Sequence, residues 1–134
     1  MARVNQPSPL RPAWLACVFV GGMVGTGLRA GLAAALPHPV DAWPWATFAA
    51  NITGAFLLAV LIGTLSHRAS NPERQRLVRL GLGTGMIGSY TTYSAFAVEV
   101  ARAPLWLGAG YATLSVLTGI AAAALGLVLV ERRA

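Results

Sequence analysis

Gly85-Met86-Ile87-Gly88-Ser89-Tyr90-Thr91-Thr92-Tyr93-Ser94-Ala95-Phe96 is the stretch on which the reading of this chain turns. Six consecutive residues, Ser89 to Ser94, carry hydroxyls, and Gly85 and Gly88 stand just before them. The chain around them is apolar from about Leu77 to Val100, long enough to cross a bilayer. Hydrocarbon cannot hydrogen-bond these groups, so polar or irregular backbone at membrane depth survives only inside protein or beside a watery cavity. The surrounding chain is therefore expected to shield this stretch from lipid, and the stretch to touch something polar that moves.

Composition points the same way. Of 134 residues 56% are hydrophobic and only 10% charged, against about 25% charged in soluble domains, and the mean hydropathy is +0.63. The single cysteine, Cys17, lies in an apolar run and reads as a small buried hydrophobe. The net charge is +6 and all ten basic residues are Arg. They lie between apolar runs, not on one clustered face, so they read as membrane flanks and no nucleic acid partner is expected.

Outward from the hydroxyl run, four apolar spans are expected: Ala13–Leu36, Trp45–Leu65, Leu77–Val100 and Leu105–Val130. Each approaches or exceeds the roughly 20 residues of a spanning helix. Residues 1–12 read as a loose N-terminal tail and 13–134 as one all-α, four-helix transmembrane domain. Pro37, Pro39, Pro72 and Pro104 punctuate the spans. Gly21 with Gly25, and Gly81 with Gly85, stand one turn apart and can form close-contact helix faces. An even number of spans leaves both termini on one side. Arg3, Arg11, Arg68, Arg74, Arg76, Arg79, Arg132 and Arg133 fall on that side, against Arg29 and Arg102 on the other. The positive-inside rule then places the termini and the middle loop in the cytoplasm, with one dominant orientation.

Few residues can carry chemistry. Thr47 and Asn51 share a face of the second span, and an amide offers two donors and an acceptor. Their bland role is to glue helices together. Tyr111 and Ser115 share a face of the fourth span, which continues to Gly119. Arg29, near the end of the first span, either snorkels or draws anions toward a pore mouth. Tyr93 and Phe96 are three apart, and the positive edge of an aromatic ring contacts an anion without formal charge. Glu99 and Arg102 read as a solvated helix-end pair. His38 and His67 have no companion carboxylate or cysteine at ligand spacing, and no catalytic constellation appears, so no enzyme is expected.

Three motifs in order, Gly21-Gly22-x-x-Gly25-x-x-x-Arg29, Thr47-x-x-x-Asn51-x-x-Gly54 and Gly88-x-x-Thr91-Thr92-Tyr93-Ser94-x-Phe96-x-x-Glu99, resemble the CrcB/Fluc fluoride channels over nearly the whole chain after the tail. The resemblance implies a four-helix channel whose third helix is broken mid-membrane, assembled as an antiparallel dimer with two pores. It implies a central structural sodium ion at the dimer interface, held by backbone carbonyls that fall here at Gly88 and Thr91. It makes Asn51 the pore amide, Tyr93 and Phe96 the aromatics along the ion path, Thr47 and Ser94 their hydroxyl neighbours, Tyr111 and Ser115 a polar track, and Arg29 a vestibule residue. Three positions depart from the family pattern: Tyr93 replaces a phenylalanine, Gly119 a serine, and Ala95 a frequent Thr or Ser.

The resemblance further implies passive fluoride export across the plasma membrane, which protects the cytoplasm. The eight-to-two arginine bias fits one half of a heterodimer with an oppositely oriented homologous subunit; weak bias would fit a homodimer. Two alternatives stand beside this reading. A small multidrug-type antiporter needs a membrane-embedded Glu in the first helix, which is absent here. A non-transporting scaffold would use the hydroxyl run only to glue helices.

Overall fold

The computed structural model describes residues 11–67 and 71–133. Arg68 and most of the N-terminal tail, with Arg3, lie outside the described residues. Among the described residues every regular element is helical. Helix α1 spans Pro12–Ala35, with proline at its first turn where no N–H is needed. Helix α2 spans Trp45–His67 and follows Pro44. Helix α3, Pro72–Val78, is capped by Asn71, whose side chain accepts from Glu73 N at 2.9 Å. Helix α6 spans Leu105–Glu131, directly after Pro104. Helices α1, α2 and α6 are long and apolar enough to cross a membrane, close to the bounds expected for the first, second and fourth spans.

The segment expected as the third span is not one regular helix. After α3 the backbone widens into a π-helix over Arg79–Ile87, in which Gly88 N reaches back five residues to Gly83 O. One α turn, α4 (Gly88–Tyr90), follows. Thr91 (φ −77°, ψ 158°) and Thr92 (φ −151°, ψ 125°) are then extended, and α5 resumes over Tyr93–Arg102, its start capped by the Thr92 hydroxyl accepting from Ala95 N at 3.2 Å.

Two glycines explain how this irregular segment is held. α1 packs against the π-helix and α4, and a Cβ at Gly21 would meet the Gly81 carbonyl, one at Gly25 the Met86 carbonyl. Only glycine lets the two backbones approach so closely. α6 packs along α2, and α5 lies against α6. Burial is inverted relative to a water-soluble bundle. α1 buries only Trp14 and Gly25, while Phe19, Val20, Met23 and Leu28 stand exposed, as do Leu117 and Ile120 of α6. Such continuous apolar surface needs lipid or protein over it. At one end, Arg11 pairs with Glu73 at 2.8 Å and the Arg76 guanidinium lies 3.8 Å from the centre of the Trp14 ring, fastening α1 to α3.

Candidate functional site

The backbone break creates the site. A residue that leaves the helix frees its N–H and C=O, and a half-buried pair must find partners. Asn51 on α2 supplies both for Thr92: its Oδ1 accepts from Thr92 N at 2.8 Å and its Nδ2 donates to Thr92 O at 3.0 Å. One amide N–H of Asn51 is not used by this pair. This pair is the helix-gluing contact expected of Asn51, made to backbone.

Two bonds at the break divert donors from two carbonyls. In an α-helix Thr92 N would bond to Gly88 O; here it goes to Asn51. Ala95 N would bond to Thr91 O; here it goes to the Thr92 hydroxyl. Gly88 and Thr91 are the residues whose carbonyls the family resemblance assigns to sodium. Carbonyl oxygens deprived of their helical donors suit a hard cation.

Asn51, Tyr93, Phe96 and Ser115 line one groove of about 470 Å³ together with Gly88, Thr91 and Thr92. Tyr93 is 81% exposed along it, and its ring stands 6.1 Å from that of Phe96. Phe96 in turn lies 5.2 Å from Tyr111. Ser115 is buried with an Oγ that makes no hydrogen bond among the described residues, near the Tyr111 side chain one turn earlier.

Thr47 and Tyr111 lie in a second cluster beyond Phe96, gathered by a residue whose role was misread from sequence. Glu99 is no solvated partner of Arg102. Its side chain is only 19% exposed; Oε1 accepts from Thr47 Oγ1 at 2.6 Å and Oε2 from the Tyr111 hydroxyl at 3.0 Å. His38, expected to have no carboxylate companion, brings Nε2 to 3.7 Å from Glu99 Oε1. The spacing puts Glu99 on the face of Phe96 but does not say which hydroxyls meet it there. For His38, in an irregular loop, no periodic signal existed.

Two expected residues stand apart from the groove. Arg29 Nε donates to the Ser89 carbonyl at 3.2 Å, tying α1 to α4. The exposed Ser94 hydroxyl is 3.2 Å from Thr92 Oγ1 at the start of α5.

Three apolar helices of spanning length, packed around an interrupted segment with an inward polar seam, define an integral membrane protein. Residues 16–127 match the family described as CrcB-like protein, Camphor Resistance (CrcB), and the chain belongs to that family. It is similar to fluoride-specific ion channel FluC 1 of Cutibacterium acnes, with 43% identity over 113 residues covering 81% of this chain and 79% of that one. It is also similar to fluoride-specific ion channel FluC of Hyphomonas neptunium, 40% identical over 120 residues (86% and 93% covered). A third relative, fluoride-specific ion channel FluC of Novosphingobium aromaticivorans, is 42% identical over 119 residues (84% and 91% covered).

Proposed function

We propose that this protein is a fluoride-selective channel of the plasma membrane that lets fluoride leave the cytoplasm passively and so lowers its concentration there. The observation that carries the reading is the groove, in which an amide, two aromatic rings and an unbonded buried hydroxyl converge on one polar line within an otherwise apolar protein. The family membership and the names of the relatives support fluoride as the ion.

Fluoride entering the groove exchanges water for the remaining Asn51 N–H, the Ser115 hydroxyl and the ring edges of Tyr93 and Phe96, with Thr47 and Tyr111 further along. Phe96, between Asn51 and Tyr111, admits a small bare anion and excludes larger hydrated ones. The interrupted segment is a fourth crossing, and the termini face the cytoplasm. The groove is open along one side, and the exposed Tyr93 needs a cover, so a second, oppositely oriented subunit closes the conduit. The Gly88 and Thr91 carbonyls would hold a structural sodium ion at that interface, whose charge offsets that of a passing anion in low dielectric. The eight-to-two arginine bias supports a homologous partner subunit of opposite bias; equal populations of both orientations in topology tagging would reject it in favour of a homodimer.

The test is efflux from fluoride-loaded proteoliposomes, followed with a fluoride electrode against a chloride control. Fluoride leaves and chloride is retained if the reading is right. Purified protein that passes no fluoride, alone or with an oppositely inserted homologous subunit, overturns it.

A further inference from the structure

The loop between α1 and α2 carries His38 over the far end of the seam. Its Nδ1 lies 3.1 Å from the Pro39 carbonyl. A carbonyl only accepts, so this contact is a hydrogen bond when Nδ1 carries the proton. Neutral imidazole then turns an unprotonated Nε2 toward Glu99 Oε1, 3.7 Å away, and lone pair faces lone pair. Proton uptake converts the same nitrogen into a charged donor aimed at the carboxylate.

Oε1 is also the atom that holds Thr47, and Oε2 the one that holds Tyr111. Glu99 is therefore a resident anion sitting on two hydroxyls that a passing anion would use. A cavity of about 110 Å³ opens over this cluster, lined among others by His38, Glu99, Arg102, Leu107 and Tyr111. The ionisable groups that face His38 are Glu99 and Arg102 from α5 and Tyr111 from α6. α2 offers only the neutral Thr47, and Asp41 of the same loop is exposed.

We infer that His38 is a positioning residue for conduction: its imidazolium engages Glu99 and, by offsetting the carboxylate charge, weakens the hold of Oε1 on the Thr47 hydroxyl, so the conduit passes anions more readily when His38 is protonated. The inference rests on the channel reading above and names a regulating residue for that site. Arg102 alone does not serve the purpose, because its charge does not change with pH.

The test is fluoride efflux from proteoliposomes with the same pH on both faces, stepped from about 8 to about 5.5, the range in which imidazole changes charge. Protein-free vesicles at each pH give the leak of undissociated HF. Wild-type flux above that leak should rise about tenfold on acidification as the imidazole gains its charge. His38→Gln should remove the pH dependence and hold the low rate, whereas His38→Lys should hold the high rate throughout. Wild-type flux that is flat with pH overturns the inference without any variant. So does a His38→Gln protein that folds and keeps the wild-type profile. Either result leaves the channel reading standing, whereas absence of fluoride flux at every pH overturns both.

Discussion

Replacing Asn51 with Ala should unfasten the interruption that makes the site. The substitution deprives Thr92 of both partners, an acceptor at 2.8 Å and a donor at 3.0 Å. A buried polar group left without a partner costs about 1–3 kcal/mol. The groove is open on one side, so water relieves part of this, and the lower value applies to each group. Together they come to about 2 kcal/mol, or roughly a thirtyfold shift away from the extended conformation at Thr91–Thr92. Thr92 N–H then meets water, and fluoride efflux should fall by a similar factor. Asn51→Asp separates the two bonds, since its carboxylate still accepts from Thr92 N but opposes Thr92 O. Amide hydrogen exchange at Thr92 reads the first bond directly: faster in Asn51→Ala, protected in Asn51→Asp, with flux reduced in both. Wild-type exchange and wild-type flux in Asn51→Ala would refute the reasoning, because the pair would then hold nothing.

Phe96→Ile keeps bulk but removes the ring edge next to Tyr111; we expect fluoride efflux to drop about tenfold, the scale of an aromatic contact, with the oligomer intact by size exclusion. Unchanged flux would move the conduit elsewhere. Gly25→Ala forces its new methyl against the Met86 carbonyl and should cost about 1–3 kcal/mol of stability. Gly27→Ala, which meets nothing within 4 Å, should leave the melting temperature in detergent unchanged; equal melting of the two variants would contradict the packing described. Exchanging sodium for a large organic cation should lower the melting temperature of the wild type but have little effect in Asn51→Ala, where the extended segment that presents the Gly88 and Thr91 carbonyls is no longer held. A sodium effect of equal size in both proteins would show that the ion does not depend on these carbonyls.

The apolar stretches that form α1, α2 and α6 were legible because their length and composition are local properties, and Pro37 and Pro104 mark limits of α1 and α6 within a residue or two. The polarity of residues 89–94 was equally plain, and so was the pairing of small faces at Gly21 with Gly25 and Gly81 with Gly85. The π-helix over Arg79–Ile87 was not legible, because glycine permits many backbones and only the carbonyls of α1's neighbours select among them. Glu99 was misjudged for a related reason. Near a helix end a carboxylate faces solvent unless something turns it inward, and the residues that do so, Thr47 and Tyr111, lie 52 and 12 positions away.

Sequence alone determined that this is a lipid-embedded helical protein with one segment too polar to face lipid, since transfer free energies depend on residue type and run length. Tertiary structure alone decided where that segment opens. Thr91 and Thr92 have no intrinsic reason to leave the helix together; they do so where α2 presents Asn51 to receive both backbone groups. The partner of a freed N–H or C=O is a matter of which helix lies alongside, and that is settled only when the helices pack.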